Sequence, residues 1–165
     1  MPDTKSLVIN TGPLLALTAG YGDLSLLEKL YQRVLVPFEV CQEIESGGAT
    51  AFGVKTFKQA DFLLKQSSPL YIVQFLKNSL DLGEASVIQL ALNENIPRVC
   101  IDEAVGRRVA RLNDLYLTGS IGVLIRAKKT GLDFSMQEAI DRMHSKGIYL
   151  SQQVVHFALQ QCHEL

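Results

Sequence analysis

Ser6-Leu7-Val8-Ile9-Asn10-Thr11-Gly12-Pro13-Leu14-Leu15-Ala16-Leu17 is the stretch whose reading decides the architecture. Ser6 to Ile9 is a compact apolar run of the kind that makes a strand buried on both faces. Asn10-Thr11-Gly12-Pro13 breaks it at once. Proline suits the first turn of a helix, where its missing N–H is not needed, so a helix carrying Leu14, Leu15 and Leu17 follows directly. Strand, short turn, apolar helix is the opening of a β–α unit.

The same alternation continues outward. Strands are predicted at Arg33–Val36 (closed by Pro37), 70–73, 98–101 and 115–117. Helices are predicted at 24–31, Phe38–Glu45 (ended by Gly47-Gly48), 54–65, 83–93, Ala104–Leu112, 121–129, Met136–Ser145 and 152–162. Apolar strands separated by helices imply a parallel sheet covered on both faces. With right-handed crossovers, this predicts an α/β fold: a three-layer α/β/α sandwich around a central, mostly parallel sheet of about four or five strands. The chain has 165 residues, 47% of them hydrophobic and 20% charged, which is ordinary globular usage. No repeat, low-complexity tract or linker interrupts it. A single domain over 1–165 is expected, with additional C-terminal helices from about residue 135.

Composition excludes several classes. A formal net charge of −1 rules out a histone-like polycation or an acidic tail protein. No apolar stretch approaches the roughly 20 residues of a membrane span. Met1-Pro2-Asp3-Thr4-Lys5 has no basic segment followed by an apolar one, so no leader is expected and the predicted location is cytoplasmic. Cys41, Cys100 and Cys162 are far apart and form no C-x-x-C pair, which argues against structural zinc and a disulfide framework. Cys100, within Val99-Cys100-Ile101, reads as a buried thiol. His144, His156 and His163 lie late in the chain without a partner motif and read as surface or packing residues.

In open α/β sheets ligands bind beyond the carboxyl ends of the strands. The polar residues expected there are Asn10, Asp102 and Thr118, each following a strand, and Glu84 at a helix start. Glu84, Ile88 and Ala91 share one helical stripe, which turns the carboxylate inward. Glu43 could point along the same edge. Each residue has a purely structural explanation. Asp81-Leu82-Gly83-Glu84 is a plausible capping box, Asp102 and Asn10 suit helix N-caps, and Glu43 and Glu103 suit solvated positions. Several acids and amides converging on one edge are harder to explain by capping. Carboxylate and amide oxygens without histidine or thiolate suit a hard cation, Mg²⁺ or Mn²⁺. Such an ion can polarise a phosphodiester and generate hydroxide for attack.

Between residues 98 and 129 there are seven basic residues against three acids, whereas the rest of the chain carries nine basic against fourteen acidic. On the helix after Asp102, Val105, Val109 and Leu112 are expected to form the core stripe. Arg107, Arg108 and Arg111 then fall on other faces, available to a phosphate backbone or simply solvated.

Four segments together resemble the PIN domain: Val8-Ile9-Asn10-Thr11-Gly12-Pro13-Leu14-Leu15-Ala16-Leu17, Leu80-Asp81-Leu82-Gly83-Glu84-Ala85, Cys100-Ile101-Asp102-Glu103-Ala104 and Gly119-Ser120-Ile121-Gly122-Val123-Leu124. The resemblance is to its uncharacterised prokaryotic branch related to the toxins of VapBC-type toxin–antitoxin pairs, and it runs from about Leu7 to the final helix. It implies a Mg²⁺- or Mn²⁺-dependent ribonuclease with metal-binding acids at the strand ends, commonly a homodimer, with RNA as substrate and an antitoxin protein as partner. By motif, Asn10, Glu84 and Asp102 take the catalytic, metal-binding positions. Glu43 matches an accessory acid, and Glu103 or Gly119-Ser120 stands where a further acid is often found. Thr11 resembles the small hydroxyl residue beside the first acid, with Thr118 and Ser120 as supporting residues. Asn10 stands where many active members have Asp. The amide keeps an oxygen ligand but removes a charge worth up to about 4 kcal/mol at ~4 Å and an effective dielectric near 20. The rival reading is therefore a catalytically weakened or inactive PIN-like domain that binds nucleic acid or protein. A nucleotide-binding module is disfavoured, because no G-x-G-x-x-G or G-x-x-x-x-G-K-[ST] sequence occurs.

Overall fold

The computed structural model describes residues 5–165. Met1 to Thr4, on which the expectation of no leader mainly rests, lie outside the described residues. β1 (Ser6–Ile9) is buried at every position and passes through Asn10 into α1 (Thr11–Tyr21), with Pro13 in the first turn. There follow α2 (Ser25–Leu30), β2 (Arg33–Val36), α3 (Phe38–Glu45), α4 (Val54–Gln59), β3 (Leu64–Lys65), α5 (Gln74–Ser79) and α6 (Leu82–Asn93). The second half contains β4 (Arg98–Cys100), α7 (Ala104–Leu112), β5 (Tyr116–Thr118), α8 (Ser120–Lys129), α9 (Met136–Ser145) and α10 (Gln152–Gln161).

The five strands form one all-parallel sheet in the order β3-β2-β1-β4-β5. Leu7 pairs with Val34, Val8 with Val99 and Cys100 with Thr118. Parallel pairing needs a crossover between strands, and the flanking helices supply it while covering both faces. α6 packs with α3, α5 and α7, whereas α1 packs with α8 and α9. The result is the expected α/β/α sandwich. Successive strands run outward from β1 through β2 to β3, and then β4 lands on the other side of β1. That reversal makes the carboxyl ends of β1 and β4 the topological switch point, where a crevice opens. Asn10 follows the first of these strands and Asp102 the second.

Two sequence expectations fail here. The helix expected over 54–65 stops at Gln59, and Leu64–Lys65 becomes edge strand β3, with Leu64 paired to Leu35. Val54, Phe57, Ala60 and Leu63 are all buried at helical spacing, so periodicity hides the break. The strand expected at 70–73 is absent. Ile72 is buried between exposed Tyr71 and Val73, a strand-like alternation. Side chains take the backbone donors instead: the Leu70 N–H donates to Glu39 Oε2 at 2.8 Å and the Val73 N–H to Gln89 Oε1 at 3.0 Å. Helix α5 then follows, unforeseen.

Candidate metal centre and its cleft

Asn10 occupies the N-cap position of α1 in extended backbone (φ −90°, ψ 168°), yet its side chain makes no capping hydrogen bond. Its backbone is tied down: its N–H donates to the Cys100 carbonyl at 3.1 Å. The residue is 7% exposed, and its Oδ1 has no hydrogen-bond partner. The capping explanation of Asn10 is therefore wrong, because the side chain turns away from the helix it precedes. A buried amide oxygen without a donor is costly, about 1–3 kcal/mol, and calls for a ligand.

Around Gly83 three oxygens from three elements converge. A Cβ there would stand 2.8 Å from Glu43 Oε2, 3.2 Å from Asn10 Oδ1 and 3.6 Å from Asp81 Oδ1. Glycine is thus the residue that lets α6 start so close to them. Burial pushes the Glu43 carboxyl above its usual pKa and the charge of Asp81 adds to the rise. The Thr11 hydroxyl opposes it, although Thr11 Oγ1 makes no well-formed hydrogen bond. Asp81 is the acid that sequence reasoning assigned only to capping. It does cap, accepting the Glu84 N–H at 2.8 Å. The same carboxylate also faces the site, and the capping-box signature masked this second role.

Glu84 points inward, as its stripe predicts, and is 6% exposed. Burial is the first cause that raises its pKa to about 7. A side-chain hydrogen bond with Asp81 and the charges of Asp81 and Glu103 push the same way, against the Asp81 N–H. Glu84 Oε2 is buried without a partner. It lies against Gly106 of α7, where a Cβ would overlap it and stand 2.9 Å from Ile101 Cγ2. α7 comes this near only because position 106 lacks a side chain.

Asp102 does not cap the helix it precedes. Glu103 holds that position, and its side chain makes no capping bond either. Asp102 Oδ1 instead accepts the N–H of Ser120 at 2.8 Å, so it caps α8 and locks the end of β4 to the end of β5. Ser120 itself is buried, and Thr118 Oγ1 makes only a long contact, 3.4 Å, with the Gly119 carbonyl. Arg107 spans the same junction: its Nη1 donates to the carbonyls of Ile101 at 2.8 Å and Thr118 at 3.2 Å. It is a strut rather than a residue of a free face. Arg108 and Arg111 are exposed. The expected core stripe of α7 is also corrected, since Val105 is 48% and Leu112 69% exposed while Gly106, Val109 and Ala110 are buried. α7 approaches α6 through its smallest residues, which leaves its larger aliphatics outside.

Among the described residues no group of three or more His, Cys, Asp or Glu side chains forms a ready metal cage. What converges at Gly83 is the unpartnered amide oxygen of Asn10 with carboxylate oxygens of Glu43 and Asp81, while the unpartnered Glu84 Oε2 lies against Gly106 and Asp102 Oδ1 against the Ser120 N–H. All-oxygen donors of this kind fit a hard cation such as Mg²⁺ or Mn²⁺. The thiols have no part in it. Cys41, Cys100 and Cys162 are buried and free, and burial pushes all three above the usual thiol pKa, Cys41 to about 11. His144 has a packing role, its Nε2 accepting the Leu150 N–H at 3.2 Å.

Beside Asp102, Glu103 and Arg107 a cleft of about 940 Å³ runs over 118–122 to the loop 146–150 and α10. A family model described as a PIN domain matches residues 6–164 of the chain. No curated protein matches it.

Proposed function

The chain belongs to the PIN-domain family, a nuclease-type fold, and from that premise we propose that it is a metal-dependent ribonuclease cutting phosphodiester bonds at the carboxyl edge of β1 and β4. One observation carries the reading: Asn10 Oδ1 and Glu84 Oε2 are both buried without a hydrogen-bond partner at the switch point of the sheet. Asn10, Glu84 and Asp102 hold Mg²⁺ or Mn²⁺ in this proposal, with Glu43, Glu103 and Asp81 adding negative charge around them. A cation held there would supply an activated water and stabilise charge on the phosphoryl oxygens. The chain's own residues prepare the site. Burial and neighbouring acids raise the pKa of Glu84 in the metal-free protein, a crowding that a cation bound there would relieve. Asp102 is pre-positioned by the Ser120 N–H, so little ordering is left to do. Thr11, Thr118 and Ser120 line the same edge in supporting roles. Arg108 and Arg111 on α7 are the exposed cations that meet the RNA backbone, while Arg107 holds the two strand ends together.

The same reading extends to the biology. The protein is a toxin-like component related to VapBC-type toxins, with RNA as substrate, an antitoxin protein as partner and a homodimer as its assembly. It acts in the cytoplasm as one folded unit over 1–165. Among the described residues no helix is long and apolar enough to cross a membrane. The test is cleavage of labelled single-stranded RNA by the purified chain with Mn²⁺ against EDTA. Cleavage should require the cation and should fall at least 100-fold in Glu84→Gln and Asp102→Asn, on the order expected when a catalytic group is removed. Cleavage that persists in EDTA, or in both variants, overturns the assignment.

A further inference from the structure

The cleft beside the carboxylates has a function that the metal centre alone does not explain. Tyr149 is 79% exposed and Phe157 52% exposed, both on its wall, with Phe52 nearby. Large aromatics normally lose such exposure on folding, and a contiguous exposed apolar patch marks a binding surface. Tyr149 is exposed but not loosely held. Gly147 takes a left-handed backbone (φ 79°), the Ile148 N–H donates to the Met143 carbonyl at 3.0 Å, and the Leu150 N–H donates to His144 Nε2. The His144 ring stands 5.9 Å from the Tyr149 ring, backing it. The loop therefore presents a pre-positioned aromatic face to the cleft.

We propose that this cleft is a stacking site for unpaired nucleobases of a single-stranded nucleic acid, with Tyr149 and Phe157 as the platforms, placed next to the phosphate held at the carboxyl edge. The inference rests on the nuclease reading for its direction and deepens it by naming the side chains that hold the bases. Three features select this occupant. First, the cleft is continuous with Asp102 and Glu103, so it offers the nucleotides next to a phosphate at that edge an aromatic wall to lie along. Second, Lys146 stands over an aromatic ring of the cleft, its Nζ 5.0 Å from the Phe52 ring centroid, the pairing of a cation with a stacking face that single-strand binders use. Third, stacking needs only a π-face and is open to bases that are not paired, which a duplex does not offer.

The experiment uses the full chain in EDTA, so that binding is read without cleavage. A short single-stranded RNA carrying one 2-aminopurine is titrated with the protein, following anisotropy and fluorescence quenching. Tyr149→Ala and Phe157→Ala should each weaken binding about ten-fold and relieve the quenching, as loss of one base–aromatic stack requires. Tyr149→Phe should retain both, because the ring and not the hydroxyl does the stacking. The same sequence as a duplex should show no quenching. Unchanged affinity and quenching in Tyr149→Ala, with an unaltered circular dichroism spectrum, would overturn the proposal and leave the cleft to a protein helix. Equal quenching of the duplex, or no binding of single strands by the wild type, would overturn it as well. Failure of the nuclease reading appears separately, as absence of Mn²⁺-dependent cleavage in a protein that still quenches the single strand.

Discussion

Glu84 and Asn10 show how a single position records an unmet need. In the metal-free protein Glu84 has its pKa raised from 4.5 to about 7. Below pH 4.5 it is protonated in both the folded and unfolded chain and contributes no penalty. Between about pH 4.5 and about 7 the unfolded chain has released this proton while the folded state still holds it, so stability falls across that window and levels off above it. Glu43, raised by the same kind of burial, acts in the same direction. Urea denaturation in EDTA at a series of pH values should show this fall, and Glu84→Gln should flatten it and raise stability above pH 7 by about 1 kcal/mol. A steeper fall in the variant would contradict the assignment. Asn10→Asp tests the neighbouring position. It adds a carboxylate to the set and should tighten Mn²⁺ binding about ten-fold or more, within a ceiling of about 4 kcal/mol. The metal-free variant should melt at a lower temperature than the wild type, because like charges are crowded. Identical calorimetric isotherms for the two proteins would remove Asn10 from the metal centre.

Helix α7 divides its arginines by face. Arg107 donates to two backbone carbonyls at the ends of β4 and β5, and because the Thr118 carbonyl also accepts the Ile101 N–H, Arg107→Ala strips the donor from the Ile101 carbonyl alone and should cost about 1–3 kcal/mol in thermal or urea unfolding. Arg108 and Arg111 have no such duty among the described contacts. Replacing both with alanine should leave stability nearly unchanged while weakening RNA binding across all sequences and lowering its salt slope by about 2. A salt slope identical to wild type would return them to a solvated face. A triple substitution would confuse these two effects, since a partly unfolded α7 also loses affinity.

At the scale of the molecule, α9 is seated in the core rather than appended to it. Met136, Ile140 and Met143 are at most 1% exposed, and Arg142 donates from Nε and Nη2 to the Gly20 carbonyl of α1 at 3.0 and 2.6 Å. Gly20 leaves the space Met143 fills: a Cβ there would lie 2.7 Å from Met143 Cε. Burying each of these large side chains contributes about 1.5–3 kcal/mol, and the three together rival a typical total stability of about 5–15 kcal/mol. A chain ending at Asp133 should therefore lose its cooperative thermal transition in circular dichroism. A truncated protein that still melts cooperatively near the wild-type temperature would mean that the C-terminal helices form a separable unit.

Local sequence determined the sandwich. β1, β2, α3, α7 and α9 stand where apolar run length, proline and glycine place them, because strand and helix periodicity is a property of neighbouring residues. Local sequence also put Glu84 on an inward stripe and Asn10 and Asp102 at strand ends. It misread 54–65 and 70–73, where buried residues keep helical or alternating spacing although the backbone donors go elsewhere. Tertiary structure alone decided what the polar groups do. Asn10 declines to cap, Asp102 caps a helix eighteen residues further on, Arg107 becomes a strut and Asp81 joins the carboxylates. Tyr149 and Phe157 likewise gained a shared cleft with Asp102 only when α9 and α10 docked. A hydrogen-bond partner, an orphaned oxygen and an electrostatic neighbour are all fixed by distances between segments remote in sequence, and no pattern within one segment encodes them.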